Sequence, residues 1–268
     1  MYTDVQTLSL RFVRPVVVRP RYYMQDDFLN VKLEARKAAN AFRQLKSRNG
    51  GVDFCSNDYL GISTNGMLDD SMDGHPGKLH GSTGSRLISG NYRLMEEVEE
   101  ELSAFHAAEA ALLFNSGYDA NVGLLSSVPQ RGDTVLYDQL SHASIRDGIR
   151  LGLAASRSFR HNDVEDLQKK ITTASGNVFV VTESVFSMDG DKAPLQDISD
   201  LCSQRNALLV VDEAHATGVT GSRGEGLVQA GGLEKKCFAR VHTFGKTAGC
   251  HGAVVLGSHR LREYLVNF

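Results

Sequence analysis

No apolar run in these 268 residues approaches the ~20 residues that a membrane-spanning helix requires, so no membrane partner is expected. The four cysteines, Cys55, Cys202, Cys237 and Cys250, form no C-x-x-C pair. That spacing argues against zinc or any other metal site and suits a reducing, cytoplasmic compartment. Basic charge is not in excess: a formal net charge of -3 and a pI near 6.3 give no electrostatic reason to expect nucleic acid. There is no internal repeat and no low-complexity tract. Acids are absent between Asp4 and Asp26, where Arg11, Arg14, Arg19 and Arg21 supply positive charge. A transit peptide would carry that bias, but Pro15 and Pro20 would break its helix and Ser is scarce, while a secretory signal lacks its apolar core. Residues 1–25 are therefore read as a disordered extension, with Met24 as a natural start. What remains, 41% hydrophobic and 23% charged, is ordinary for a globular chain long enough to bury a large core.

The pattern along that core is an alternation. Phe28, Leu29, Leu33, Phe42 and Leu45 among many charges predict an amphipathic helix from Asp26 to about Ser47. Residues 63–90, rich in Gly, Ser and His, read as loops. Asn91 is placed as the N-cap of a helix with Leu94, Val98, Leu102 and Phe105 on its apolar face and Glu residues opposite. Strands are expected at Ala110–Phe114, Thr134–Tyr137, near Ser158, at Val178–Thr182 and at Ala207–Val211. Helices between them are expected at Ala120–Val128, Ser144–Leu151, Asp163–Thr173 and Leu195–Arg205, and another begins at Arg260. Such βα alternation predicts an α/β fold: a mostly parallel sheet covered on both faces, with its ligand at the carboxyl ends of the strands.

Polar clusters fall at those ends. Asp212-Glu213-Ala214-His215 follows the run Ala207–Val211, and Thr243-Phe244-Gly245-Lys246 follows another short strand. An acid, an imidazole and a lysine so placed suit pyridoxal phosphate, the Lys forming the Schiff base and the acid pairing with the pyridinium nitrogen. The competing reading, a helicase with Asp-Glu-Ala-His and a phosphate loop at Gly245-Lys246-Thr247, fails on two counts. Arg240 stands where that loop needs its first Gly, and the loop would follow the acidic box instead of preceding it. Gly117 and Tyr118, between a strand and a helix, can offer backbone N–H groups to a phosphate. Ser187 and Thr243 can add hydroxyls, His142 a ring to stack on the pyridine, and His215 a bond to its phenolic oxygen. Singly each has a plainer explanation, as a turn, a structural His or a solvated Lys; together and in order they define a site.

Longer blocks carry a resemblance. Phe54-Cys55-Ser56-Asn57-Asp58-Tyr59-Leu60-Gly61, Gly81-Ser82-Thr83-Gly84-Ser85-Arg86, Leu140-Ser141-His142-Ala143-Ser144 and Phe159-Arg160-His161-Asn162-Asp163 all contribute. So do Val181 to Asp191, Asp212 to Gly218 and Thr243 to Gly249. By these the chain resembles the α-oxoamine synthases, fold-type I pyridoxal phosphate enzymes, from about Asp26 to its last residue. The resemblance implies a mostly parallel, seven-stranded sheet with helices on both faces, residues 26–60 forming an N-terminal helix and segment and 61–268 the large cofactor domain. It implies phosphate contacts at Gly117, Tyr118, Ser187 and Thr243, ring contacts at His142, Asp212 and His215, and the covalent anchor and base at Lys246. Arg43 matches a position that touches the acyl substrate. The implied reaction joins an amino acid, L-alanine by preference, to an acyl thioester carried by CoA or a carrier protein, in a cytoplasmic homodimer. Thr247-Ala248 departs from the usual pair after the Lys. Family members continue past the equivalent of Phe268 into a C-terminal domain of about 100 residues. That small domain is expected to be absent here, with its Arg for the amino-acid carboxylate, leaving a chain that self-associates, or an inactive homologue.

Overall fold

The computed structural model describes residues 26–45, 50–69 and 81–268. The reading of residues 1–25 as an extension falls outside them, as do residues 70–80 of the expected loop. The chain divides into two units, residues 1–52 and 53–268, taken separately below.

In the first unit the expected long helix is short: α1 covers Phe28–Ala38. Its end is set by Asn40, in the left-handed region at φ 50, with the Ala39, Asn40 and Ala41 amides turned back onto the carbonyls of Ala35, Lys37 and Arg36. This left-handed stop is common at helix C-termini and is the one Asn adopts most easily after Gly. Arg43 therefore lies beyond the helix, in exposed coil, and not on an amphipathic face.

The second unit opens with residues 53–69 in turns and continues into α2 (Arg93–Phe105). Asn91 does not cap this helix. Tyr92 precedes its first residue in extended conformation, and the Asn91 side chain accepts from Arg86 Nε at 2.9 Å and donates to Glu96 at 2.7 Å. Nor are all the Glu residues solvated. Glu99 is the buried residue of α2, accepting from Arg86, Arg262 and the Leu113 amide, while Leu94, assigned to the apolar face, is exposed. Three donors offset the desolvation of that carboxylate and hold its pKa below the usual range.

Then follow β1 (Ala110–Phe114), α3 (Gly117–Ser127), β2 (Thr134–Asp138), α4 (Ala143–Leu151), β3 (Ala155–Phe159) and α5 (Val164–Ile171). After them come β4 (Val178–Glu183), α6 (Leu195–Arg205), β5 (Leu208–Asp212), α7 (Leu227–Ala230), β6 (Cys237–Thr243), β7 (Ala253–Gly257) and α8 (His259–Asn267). The seven strands make one sheet in the order β1-β7-β6-β5-β4-β2-β3. All pairs are parallel except those of β7 with β1 and with β6.

Strand periodicity divides the core. Leu136, Val180, Leu209 and Val211 face one way, onto Leu167 and Ile171 of α5 and Leu195, Ile198 and Leu201 of α6. Their neighbours Val135, Phe179, Val181 and Val210 face the other way, onto Ala120, Leu124 and Leu125 of α3 and Ile145 and Ile149 of α4. Each such fully buried aliphatic side chain contributes ~1.5–3 kcal/mol, so both faces drive the sheet's assembly. Because β2, β4, β5 and β6 run parallel, their carboxyl ends lie along one edge, with Glu183 opposite Asp212 and Asp212 opposite Val241. The four cysteines are free, and among the described residues no helix is long and apolar enough to cross a membrane.

Candidate active site

Asp212 ends β5 and is buried. Its Oδ1 accepts from the Ala214 amide at 2.8 Å and its Oδ2 from Asn121 Nδ2 at 2.7 Å. The same Asn121 amide donates to Ser144 Oγ at 3.0 Å. Ser144 in turn meets His142 Nδ1, through its hydroxyl at 2.8 Å and its amide at 3.2 Å. The acid and the imidazole are thus linked by two buried polar side chains, Asn121 and Ser144, neither of which was picked out in the sequence. Asn121 had a readable signal: it is a polar residue one helical turn after Gly117 on the face that α3 turns to the sheet.

Glu183, a polar residue at the carboxyl end of its strand and so expected near the ligand, joins them. It sits beside Asp212 across the β4–β5 pair, nearly fully buried, and accepts from the His142 amide at 2.6 Å. Burial, and then the Asp212 charge, push its carboxyl up to about 8, so it is protonated at neutral pH.

Lys246 lies in the turn after β6, and its Nζ is 2.8 Å from His215 Nε2. The other ring nitrogen, Nδ1, is 2.7 Å from the hydroxyl of Tyr59. Burial and the nearby ammonium push His215 down to about 4, which leaves it neutral. Burial likewise lowers the pKa of Lys246, against the opposing pull of Asp212 and Glu183. The turn is clamped from outside. Gly249, at φ +64, packs so closely on Ile62 and Ser63 that a Cβ there would stand 2.7 Å from the Ser63 nitrogen.

At the start of α3, Ser116 caps the helix by accepting from the Asp119 amide. Among the described residues, nothing accepts from the Gly117 and Tyr118 amides, which leaves two donors at the positive end of the helix dipole. A Cβ at Gly117 would stand 3.2 Å from Thr243 Cβ and Oγ1, so glycine keeps this cradle open and the two predicted phosphate contacts are neighbours. The Tyr118 hydroxyl bonds Asp147, and its ring meets His142 edge-on with centroids 6.5 Å apart. These free amides, with a hydroxyl, a lysine and an accepting carboxylate at one sheet edge, fit a phosphorylated aldehyde cofactor.

The structure therefore brings together Gly117, Tyr118, Thr243, His142, Asp212, His215 and Lys246. Among the described residues, no hydrogen bond links Ser187 to these groups. Ser187 is exposed in the turn after β4, and Arg43 belongs to the separate first unit. Among the described residues no group of three or more His, Cys, Asp or Glu is placed to hold a metal ion.

A doubly covered, mostly parallel sheet with a lysine and an acid at its strand ends is the fold-type I architecture of pyridoxal phosphate proteins, and the chain belongs to the aminotransferase class I and II family, which it matches over residues 49–268. Within that family it is similar to 8-amino-7-oxononanoate synthase of Emericella nidulans, 47% identical over 237 residues, or 81% of this chain and 58% of the relative. The enzyme of the same name from Chlorobaculum parvum is 43% identical over 226 residues, 81% of this chain and 58% of that protein. Among solved structures, a serine palmitoyltransferase from S. paucimobilis with a bound pyridoxal phosphate–myriocin aldimine superimposes with a TM-score of 0.76 at 31% identity, covering 90% of this chain and 67% of that one. The chain thus spans little more than half the length of the curated relatives it matches.

Proposed function

We propose that this chain holds pyridoxal 5′-phosphate and serves an α-oxoamine synthase reaction, the condensation of L-alanine with a pimeloyl thioester on CoA or a carrier protein. Loss of CO2 then gives 8-amino-7-oxononanoate, a step of biotin synthesis, in a cytoplasmic homodimer. The observation that carries this reading is the convergence of Lys246, His215 and Asp212 beside the donor-rich start of α3. When bound, the cofactor supplies an electron sink for charge developing at the substrate Cα.

Each residue then has a defined task. Asp212, aimed by Asn121 and the Ala214 amide, would hold a proton at the ring nitrogen. His215, neutral, would bond the phenolic oxygen, and His142 would stack on the ring. The Gly117 and Tyr118 amides and the hydroxyls of Thr243 and Ser187 take the phosphate. Lys246 would anchor the aldehyde and afterwards move the Cα proton; burial lowers its pKa and so favours the neutral amine that this role needs. Arg43 is offered as an acyl-substrate contact on the resemblance alone.

Higher identity to the Emericella nidulans and Chlorobaculum parvum 8-amino-7-oxononanoate synthases than to the S. paucimobilis serine palmitoyltransferase favours alanine and a pimeloyl group. The nearest competitor is glycine with acetyl-CoA, the 2-amino-3-ketobutyrate ligase reaction. Thiol release, measured on the product of the intact gene with each pair of substrates, separates them: faster turnover of glycine with acetyl-CoA would overturn the substrate assignment and leave the cofactor assignment standing.

A further inference from the structure

One cluster of titratable side chains takes no part in the chemistry above. Asp138 ends β2 and has no exposed surface, yet its carboxylate is fully engaged. Its Oδ1 accepts from the Leu140 amide at 2.8 Å and lies 3.0 Å from His161 Nδ1, while Oδ2 accepts from the Asn162 amide at 2.9 Å. On the far side of the imidazole, Nε2 is 2.8 Å from Asp191 Oδ2, to which Asn162 Nδ2 also donates at 2.7 Å. A ring with a carboxylate at each nitrogen can donate to both only as an imidazolium; burial opposes that charge, but the two acids outweigh it and raise the His161 pKa. Among the described residues, no other acid is bonded to it. Asp163 and Asp166, on the following helix, are paired with Arg160 and Lys170.

The two carboxylates belong to different parts of the site. Asp138 organises the bend Gln139–Ser141, through its Leu140 and Ser141 contacts, and that bend leads directly into His142. Asp191 closes the turn that carries Ser187. The Phe186 amide donates to the Asp191 carbonyl and the Gly190 amide to the Phe186 carbonyl, each at 2.9 Å. The Phe186 ring meets His161 edge-on with centroids 4.5 Å apart.

We propose that His161 is a positioning residue, whose double clamp Asp138–His161–Asp191 ties the loop bearing His142 to the turn bearing Ser187 and so fixes the phosphate-binding hydroxyl relative to the ring-covering imidazole. This rests on the reading of Ser187 as a phosphate contact. A neutral His161 could donate to only one acid. It would keep the buried Asp138, and its bare Nε2 would then face the Asp191 carboxylate and release the Ser187 turn.

The test compares the dissociation constants of pyridoxal phosphate and of pyridoxal, the same aldehyde without phosphate, by visible absorbance of this chain. His161→Gln should weaken pyridoxal phosphate about tenfold, the loss of roughly one charge-assisted bond, and leave pyridoxal within about twofold. Asp191→Asn, which alters only the exposed arm and spares the buried one, should do the same if His161→Gln folds poorly. The double variant His161→Gln/Ser187→Ala should be no weaker than the weaker single variant. Raising pH through the His161 titration, followed by nitrogen-15 NMR, should narrow the wild-type preference for the phosphorylated ligand and leave that of His161→Gln flat. Equal loss of both ligands in the clamp variants would reduce the cluster to general structural support and overturn the proposal. Unchanged clamp variants beside a weakened Ser187→Ala would overturn the clamp alone. An unchanged Ser187→Ala would overturn the phosphate reading, and the clamp's purpose with it.

Discussion

Glu183 offers the sharpest quantitative prediction, because a single proton is held there by the fold. Its folded-state pKa of about 8 lies above the ordinary carboxyl value of 4.5, raised first by burial and then by the Asp212 charge. The native state therefore favours the protonated form. The stability this group contributes is complete below the unfolded value and is lost as pH rises toward 8. Within that window one bound proton separates the folded from the unfolded chain, and the slope is about 1.4 kcal/mol per pH unit. Between pH 5.5 and 7.5 the group thus removes about 3 kcal/mol, a large share of a typical domain's ~5–15 kcal/mol. Glu183→Gln keeps a carbonyl oxygen for the His142 amide, now 2.6 Å from Oε1, but cannot ionise. Urea unfolding of the cofactor-free chain at several pH values between 5.5 and 7.5 should show the variant gaining on the wild type by that amount across the window. Parallel stability curves for the two proteins would refute the argument, and with it the idea that a protonated acid stands beside Asp212.

Three further outcomes are expected. Borohydride reduction of the chain with pyridoxal phosphate should fix the pyridoxyl group on Lys246, and a labelled peptide containing another lysine would refute that anchor. Asp212→Asn should retain the cofactor and lose turnover by orders of magnitude, since a neutral ring nitrogen is a poor sink; near wild-type rates would displace Asp212 from its role. Gly117→Ala places a Cβ 3.2 Å from Thr243, so pyridoxal phosphate affinity should fall with little change in the thermal midpoint, as read by absorbance titration and calorimetry.

Much of the fold was legible because its signals are local. The apolar runs Val178–Val181 and Leu208–Val211 can only be buried strands, and the polar residues that follow them fall at strand ends by chain connectivity alone. Lys246, Asp212 and the amides of Gly117 and Tyr118 could be placed at strand ends for that reason. Errors arose where a local pattern had two outcomes. Asn40 ended α1 far short of Arg43 by taking the left-handed conformation, and Asn91 gave its side chain to Arg86 and Glu96 instead of capping α2.

Other features were decided by tertiary structure alone. Glu99 looks like one more solvated acid of a Glu-rich helix until Arg86 and Arg262, distant in the chain, converge on it. Asn121 and Ser144 became parts of the site only when α3, α4 and β5 packed together, Glu183 acquired its raised pKa from burial beside Asp212, and His161 gained its second carboxylate from a turn thirty residues on. The physical reason is common to all of them. The sequence fixes which backbone conformations and which faces are favourable, because propensity and hydrophobic period act over a few residues. The protonation state and partners of a buried polar group depend on desolvation and on charges a few ångströms away, and those distances exist only once the chain has folded.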